Sequence, residues 1–373
     1  MFFLFCYVLA MLDIIPAMPK KGRGAISNRA GRHEKMRTYL VNDGWNIDAA
    51  DLKSCETSVT DERPKTIITY NQSPDLPFDR SINPYRGCEH GCVYCYARPT
   101  HAYHGLSPGL DFESKLFAKP NAAELLEAEL RKPGYIVKPV AIGTNTDPYQ
   151  PIEKKRRIMR RILEVLEAYN HPVSIITKSA LVLRDIDILG PMSEQGLAAV
   201  AFSITTLDQN LARTLEPRAA TPKKRLGAMQ RLSDSGIKTF CLAAPMIPGL
   251  NDHELERIID EAVAAGASGA DYILLRLPIE TKGLFTEWLT INQPARKSKI
   301  INMIRVCRGG ALYDSNWDNR QRGTGHFSEL LKTRMNLINK RLGLNNKKQG
   351  FKFEFNSRLF KVPSHQGEQF ELL

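Results

Sequence analysis

Short apolar runs alternate with helical patterns between residues 80 and 280 of this chain. Strand–helix alternation at this spacing is typical of parallel βαβ units. A full eightfold barrel usually needs about 250 residues, so this span is too short for one. We therefore predict an α/β fold, a partial (β/α)6 TIM-like barrel with N- and C-terminal extensions. The predicted strands are Ser81–Tyr85, Val140–Gly143, Val173–Thr177, Ala199–Ile204, Lys238–Ala244 and Tyr272–Leu277.

Capping residues and helical spacing place the helices between these strands. Asn121 can begin a helix that continues to Arg131, and Thr221 followed by Pro222 is a typical cap for another. Apolar residues recur at helical spacing after Pro151 and again after Asn251 or Asp252. Two further helices are predicted within residues 294–342, on either side of a glycine pair. Active sites of such folds lie at the carboxyl ends of the strands.

These patterns divide the chain into an N-terminal extension (1–79), a core (80–280) and a C-terminal helical extension (281–373). The first seventeen residues are apolar, too short to span a membrane, and lack a basic segment and a cleavage site. An atypical secretion signal, an interfacial anchor and a start codon placed too far upstream all fit them. We favour the last, with Met18 as the native start, and expect no stable membrane insertion.

The chain has 373 residues and a formal net charge of +12, with a pI near 9.3. Excess positive charge attracts polyanions, so nucleic acid is one candidate partner. Many soluble proteins of this size are also basic, and the charge alone does not decide between these readings.

Three of the seven cysteines, Cys88, Cys92 and Cys95, fall within eight residues. This C-x3-C-x2-C pattern indicates a metal or cluster site rather than a disulfide framework, and it points to a reducing, cytoplasmic location. Three thiolates can hold three corners of an iron–sulfur cubane and leave one iron open. The alternatives are a zinc site completed by a histidine and three unrelated buried cysteines. The candidate histidines are His90, His101 and His104.

The segment NPYRGCEHGCVYCYARPTH (83–101) carries a family resemblance. Its cysteine spacing, with an aromatic residue before the third cysteine, resembles the signature of radical S-adenosylmethionine (radical SAM) enzymes. TDPYQPIEKK (146–155) adds a resemblance to the spore photoproduct lyase-like branch, and KGRGAIS (21–27) and LYDSNWDNRQRGTG (312–325) resemble an uncharacterised subgroup of it.

The resemblance implies a [4Fe-4S] cluster and SAM as cofactors, with Cys88, Cys92 and Cys95 as ligands. A reduced cluster of this kind cleaves SAM to methionine and a 5′-deoxyadenosyl radical, which abstracts hydrogen from a substrate. The protein's part is then to bind and orient the reactants and to exclude water. An external electron donor, flavodoxin- or ferredoxin-like, is also implied. The enzyme would be lyase-like, with a reaction that these residues do not specify.

Further candidate cofactor-binding residues follow the predicted strands or flank the third cysteine. The resemblance assigns the methionyl amine to the 143–151 segment and the methionyl carboxylate to the lysine after the third strand. Each residue also has an ordinary structural reading: a turn, a solvated cation, a bonded hydroxyl or a core aromatic. The candidates are Tyr94, Tyr96, Thr144, Asn145, Asp147, Lys178 and Ser203.

One feature departs from the branch pattern. Spore photoproduct lyases carry a further cysteine downstream of the cluster loop that returns hydrogen to the product radical, whereas no cysteine lies between Cys95 and Cys241 here. Cys241 is the candidate hydrogen donor, with a small buried hydrophobe as the plainer alternative. Three functions stay open: a radical enzyme on nucleic acid, a radical enzyme on a small metabolite or protein, and a zinc-dependent nucleic-acid-binding protein without redox chemistry.

Overall fold

The computed structural model describes residues 18–34, 55–344 and 353–364. The predicted secretion or start segment, residues 1–17, lies outside the described residues. Ten strands occur in the described ranges: β1 (Ser58–Asp61), β2 (Ile68–Tyr70), β3 (Arg80–Ile82), β4 (Tyr85–Arg86), β5 (Lys115–Ala118), β6 (Val140–Ile142), β7 (Val173–Thr177), β8 (Ala198–Ser203), β9 (Lys238–Met246) and β10 (Gly269–Leu274).

Seven of these strands form the main sheet, in the order β10-β9-β8-β7-β6-β3-β2. All neighbours are parallel except β2 and β3, which pair antiparallel. The six parallel strands are the six predicted ones, so the α/β prediction of an open, partial barrel is confirmed. The barrel does not close, because β10 and β2 form the two edges of the sheet. A second sheet, β1-β5-β4, was not predicted.

Eleven α-helices lie in the described ranges: α1 (Leu110–Ser114), α2 (Ala122–Leu130), α3 (Glu153–Arg156), α4 (Ile158–Ala168), α5 (Ile186–Glu194), α6 (Gln209–Leu215), α7 (Pro222–Asp234), α8 (Leu255–Ala264), α9 (Thr281–Asn292), α10 (Lys297–Val306) and α11 (Gly325–Arg341). The predicted Thr221 cap is confirmed, since its hydroxyl accepts from the amide of Lys224 at 3.4 Å. The Asn121 side chain precedes α2 but makes no capping hydrogen bond to it. No described helix is long and apolar enough to cross a membrane.

The hydrophobic core lies between the main sheet and the helices that cover its outer face. In α8, Leu255, Ile258, Ile259 and Ala262 are buried at helical spacing. The inner face of the sheet carries several small side chains where it lines a cavity: Ser81, Ser174, Ala199, Ala201, Ser203 and Ala244. Because these side chains are too small to fill the inside of the barrel, the sheet encloses a hollow.

Two loops span the gap between the sheet edges. Asp75 follows β2, and Arg320 lies beside β10, where the amide of Leu274 donates to the carbonyl of Gln321 at 2.9 Å. The guanidinium of Arg320 donates to both oxygens of the Asp75 carboxylate, at 2.5 and 2.6 Å. This ion pair therefore joins the two loops across the open side of the barrel.

Candidate active site

The loop that carries the three neighbouring cysteines follows β3 and β4, at the carboxyl end of the barrel. Cys88 and Cys92 are buried and Cys95 is partly buried. Tight turns join them: the amide of Gly91 donates to the carbonyl of Cys88 at 3.3 Å, and that of Cys95 to the carbonyl of Cys92 at 3.1 Å. Gly91 has φ +66°, a left-handed conformation that glycine adopts without strain. The sequence therefore gathers three thiols on one sharply curved loop.

A fully buried arginine, Arg98, binds the backbone of this loop. Arg98 donates to the carbonyl of Cys92 at 2.9 Å and to that of Gly91 at 3.2 Å. Its guanidinium also forms an ion pair with Glu113, and both side chains are 0% exposed. A buried charge is costly unless it is paired and hydrogen-bonded, and this one is both. Arg98 thereby fixes the backbone between the first two cysteines.

The KGRGAIS segment (21–27) binds the Glu113 carboxylate from the side opposite Arg98. The amides of Gly24 and Ala25 donate to the two oxygens of Glu113, at 2.9 and 2.7 Å. A methyl group at Gly24 would lie 1.8 Å from the carbonyl oxygen of Gly91. Only glycine permits this approach, so the N-terminal segment is in backbone contact with the cysteine loop.

A second buried ion pair supports the loop from the α6–α7 side. The carboxylate of Glu216 pairs with Arg225 and accepts hydrogen bonds from Tyr94 and Thr205. Burial alone would raise the pKa of Glu216, but the charges of Arg225 and Lys178 and the hydrogen bonds from Arg225 and Thr205 outweigh it and lower the pKa to about 2. The amide of Val93 donates to the carbonyl of Leu215 at 3.0 Å. Tyr94 is thus fixed by buried partners.

Asp147 connects two strand ends to the cysteine loop. Its carboxylate accepts from the Thr177 hydroxyl and the Lys178 amide, both at 2.7 Å. The ring of His90 lies 3.4 Å from it. Burial opposes the charged form, but His90 and the hydrogen bonds prevail and lower the pKa to about 2. With its oxygens taken by protein donors, Asp147 positions other groups.

Lys178 and Ser203 lie together at the carboxyl ends of β7 and β8. The Lys178 ammonium donates to the Ser203 hydroxyl at 2.9 Å and lies 5.9 Å from the centre of the Tyr94 ring. Ser203 in turn donates to the carbonyl of Ala244 at 3.0 Å. No carboxylate in the described residues pairs with Lys178, so its charge is available to an anionic ligand.

These groups border a cavity of about 1700 Å³ inside the barrel. Six of the sequence-predicted residues and two of the cysteines line it: Cys92, Tyr94, Cys95, Tyr96, Thr144, Asn145, Lys178 and Ser203. The Tyr96 hydroxyl donates to the carbonyl of Thr144, and Asn83 donates to the Thr144 hydroxyl at 3.1 Å. The structure therefore brings these predicted residues to one wall of one cavity, with Asp147 behind them.

Comparison with known proteins identifies the family. A model of the radical SAM superfamily matches residues 82–262. An uncharacterised protein of Mycobacterium tuberculosis is 38% identical over 232 residues, which are 62% of this chain and 68% of that protein. An uncharacterised protein of Methanocaldococcus jannaschii is 33% identical over 180 residues, 48% of this chain and 64% of that protein. The chain belongs to the radical SAM superfamily.

Solved structures share the fold of this radical SAM protein. Spore photoproduct lyase complexed with dinucleoside spore photoproduct superposes with a TM-score of 0.53 at 14% identity, covering 76% of this chain and 79% of that one. A variant of the same lyase with bound AdoMet gives a TM-score of 0.51 at 14% identity, covering 76% and 78%. At this identity the likeness concerns the fold. The protein is an enzyme whose cofactors are a [4Fe-4S] cluster and SAM.

The cysteine loop fits such a cluster. Burial raises the pKa of the Cys92 thiol to about 12 in spite of the nearby charges of Lys178 and Arg225, and bound iron would add the positive charge that favours the thiolate. The other described cysteines lie apart from the loop: Cys55 packs beside Ala25, and Cys241 and Cys307 lie in the main core. Cys88, Cys92 and Cys95 therefore stand together on the loop, and no fourth cysteine joins them in the described residues.

The zinc alternative fits this loop less well. The described residues contain no group of three or more His, Cys, Asp or Glu placed to hold a single metal ion. His90 faces Asp147, and His101 lies 2.9 Å from the carbonyl of Lys115. His104 stacks on Phe117 at 4.8 Å between ring centres. Each candidate histidine therefore has a contact of its own in the folded chain.

The structure places Cys241 away from the cavity. It is 0% exposed within β9, and its neighbours Phe240 and Leu242 line the cavity instead. Since successive side chains of a strand point to opposite faces, the Cys241 thiol faces the helices. This placement favours the buried-hydrophobe reading over that of a hydrogen donor.

Several residues of the site escaped sequence reasoning. Arg98 lies within the cysteine segment, whereas Glu113 and Arg225 lie in segments that read as ordinary loop or helix, and the sequence assigns none of the three a role. KGRGAIS was singled out only by resemblance, although two glycines around an arginine are a signal of close backbone approach. The Arg98–Glu113 and Glu216–Arg225 pairs become visible only when the chain is folded.

Proposed function

We propose that this enzyme binds its cluster through Cys88, Cys92 and Cys95 and uses SAM to abstract a hydrogen atom from a nucleic-acid substrate. When bound and reduced, the cluster supplies the electron that cleaves SAM to methionine and a hydrogen-abstracting 5′-deoxyadenosyl group. The observation that carries this proposal is the position of Cys92 and Cys95 on the wall of the same cavity as Lys178 and Ser203.

Different residues of the cavity bind different groups of SAM. Lys178, whose ammonium has no carboxylate partner in the described residues, meets the methionyl carboxylate. Ser203 holds that ammonium in place and offers a hydroxyl to the ribose. Thr144 and Asn145, on the loop after β6, face the methionyl amine. Asp147 acts as a positioning residue, because its oxygens already accept from Thr177 and Lys178.

Charge and cavity size support a nucleic-acid substrate. The net charge of +12 favours a polyanion, and a cavity of about 1700 Å³ exceeds what SAM alone requires. A small metabolite or a protein side chain is the second candidate, favoured only if no polyanion binds. A flavodoxin- or ferredoxin-like protein is the proposed electron donor.

Anaerobic iron and sulfide analysis with electron paramagnetic resonance of the reduced protein tests the cluster. We expect about four irons per chain and a spectrum that shifts when SAM is added. Cys95→Ala should lose the cluster, whereas Cys241→Ala should keep it, because Cys241 lies in the core. Zinc without iron in anaerobically prepared protein would overturn the proposal.

Dithionite reduction in the presence of SAM tests the cofactor chemistry. The expected product is 5′-deoxyadenosine, measured by chromatography, and Lys178→Met should raise the SAM concentration needed for half-maximal cleavage. Wild-type protein that holds four irons and forms no 5′-deoxyadenosine under any electron donor would contradict the assignment.

A further inference from the structure

Buried polar atoms without a hydrogen-bond partner mark one wall of the cavity. Nε of Arg276 and Oε1 of Gln321 are two such atoms among the described residues, and both residues line the cavity. Buried polar groups are almost always paired, so each exception calls for a missing partner such as a ligand or water. One atom is a cationic donor and the other a neutral acceptor.

Arg276 lies just beyond the carboxyl end of β10. Its guanidinium stacks over the Tyr96 ring at 4.7 Å from the centroid, which places it beside the third cysteine. The described residues provide it with no carboxylate partner. Two of the carboxylates that line the cavity are engaged by other arginines, since Asp75 binds Arg320 and Asp271 binds Arg322. Another guanidinium, that of Arg308, adds positive charge to its surroundings.

Gln321 lies close to Arg276 on the same wall. Its backbone carbonyl accepts from the amide of Leu274, two residues before Arg276, at 2.9 Å. Its side-chain amino group donates to Asp75 at 3.2 Å, which fixes the amide and leaves Oε1 without a donor. On the same loop, Trp317 lines the cavity and is 50% exposed.

We propose that this wall binds one nucleotide unit of a nucleic-acid strand. The Arg276 guanidinium pairs with a phosphate oxygen, a geometry for which arginine is suited. Oε1 of Gln321 accepts from an amino or imino N–H of the base, and the exposed indole of Trp317 stacks on a base. The methionyl carboxylate of SAM has its own cation in Lys178. This inference rests on the proposed function, because it places the substrate of that reaction.

Binding of short fluorescein-labelled single-stranded DNA and RNA oligonucleotides to the cluster-loaded protein tests the proposal. Arg276→Gln should weaken binding about tenfold or more and reduce the salt dependence by about one phosphate contact. Arg305→Gln is the matched control: it removes the same charge from an exposed position outside the cavity, and binding should change less than about twofold. Gln321→Met should keep phosphate affinity and alter the preference among bases.

SAM binding and 5′-deoxyadenosine formation, measured on the same preparations, separate the two hypotheses. Wild-type protein that cleaves SAM and binds no oligonucleotide overturns the nucleotide site and leaves the radical chemistry standing. Arg276→Gln protein that loses SAM affinity while keeping oligonucleotide affinity assigns Arg276 to the SAM carboxylate and also overturns it. Protein that binds oligonucleotides through Arg276 but cleaves no SAM contradicts the proposed function alone.

Discussion

Arg98 and Glu113 form a fully buried ion pair beneath the cysteine loop, and the same two side chains bind backbone on both sides of it. Arg98 donates to the carbonyls of Gly91 and Cys92, and Glu113 accepts from the amides of Gly24 and Ala25. The N-terminal segment and the cysteine loop are therefore connected through one pair of charges, and a change in either charge should reach the cluster.

Arg98→Gln should destabilise the cluster-loaded protein by about 3–5 kcal/mol, because it leaves the Glu113 carboxylate buried without its charge partner. Unfolding in denaturant measures the change. The cluster's paramagnetic resonance spectrum should also change, since the carbonyl of Cys92 loses its donor. Arg131→Gln, which breaks a more exposed pair with Glu127 at the carboxyl end of α2, is the control and should cost less than about 1 kcal/mol. Equal losses in both variants would argue against a special role of the buried pair.

Gly24→Ala should displace the N-terminal segment from the cysteine loop, since the added methyl group would meet the carbonyl oxygen of Gly91 at 1.8 Å. Overpacking of this kind costs about 1–3 kcal/mol. Iron content per chain and stability should both fall. Gly227→Ala, in α7 with nothing within 4 Å of the new methyl group, should be neutral or slightly stabilising. Full iron content in Gly24→Ala protein would contradict this contact.

Asp75→Asn should loosen the two loops across the open side of the barrel, because Arg320 loses a carboxylate that it binds through two hydrogen bonds. Hydrogen–deuterium exchange of peptides covering residues 71–78 and 316–322 should accelerate about tenfold or more. Asp318→Asn, at an exposed position on the second loop, should leave exchange unchanged. Unchanged exchange in Asp75→Asn would show that other contacts hold the loops.

His171 should make the free energy of unfolding depend on pH in mildly acidic solution. Burial lowers its pKa from 6.5 to about 4, while the unfolded chain keeps the ordinary value. The unfolded state therefore binds the extra proton first, and stability is lost as pH falls from about 6.5 to about 4, by about 1.4 kcal/mol per pH unit at most.

His171→Asn removes this titration. Between pH 6.5 and 4 the stability of the variant should fall less steeply than that of the wild type, whatever its absolute stability. Denaturant unfolding at a series of pH values measures both slopes. Parallel curves over this range would show that His171 does not carry the effect.

The sequence alone determined the strands and the cysteine loop. Each of the six parallel strands was predicted because β-branched and apolar residues cluster locally, and the observed bounds differ by up to three residues at either end. Cys88, Cys92 and Cys95 are close in sequence, so spacing alone brings their thiols together. Because sites of this fold class lie at the carboxyl ends of the strands, the sequence also indicated Thr144, Lys178 and Ser203 as residues of one site. All three line the cavity.

Only the tertiary structure determined which residues distant in sequence contact each other around that site. Glu113 meets Gly24 across 89 residues, and Arg320 meets Asp75 across 245 residues, pairings that no local pattern encodes. The orientation of Cys241 follows from strand alternation, but only the folded barrel shows which face of β9 is the inside. The same holds for Arg276, which in the sequence is one arginine among many. Only the folded structure shows that its Nε is buried without a hydrogen-bond partner. Local spacing specifies local geometry, whereas burial and charge pairing depend on contacts that the complete fold creates.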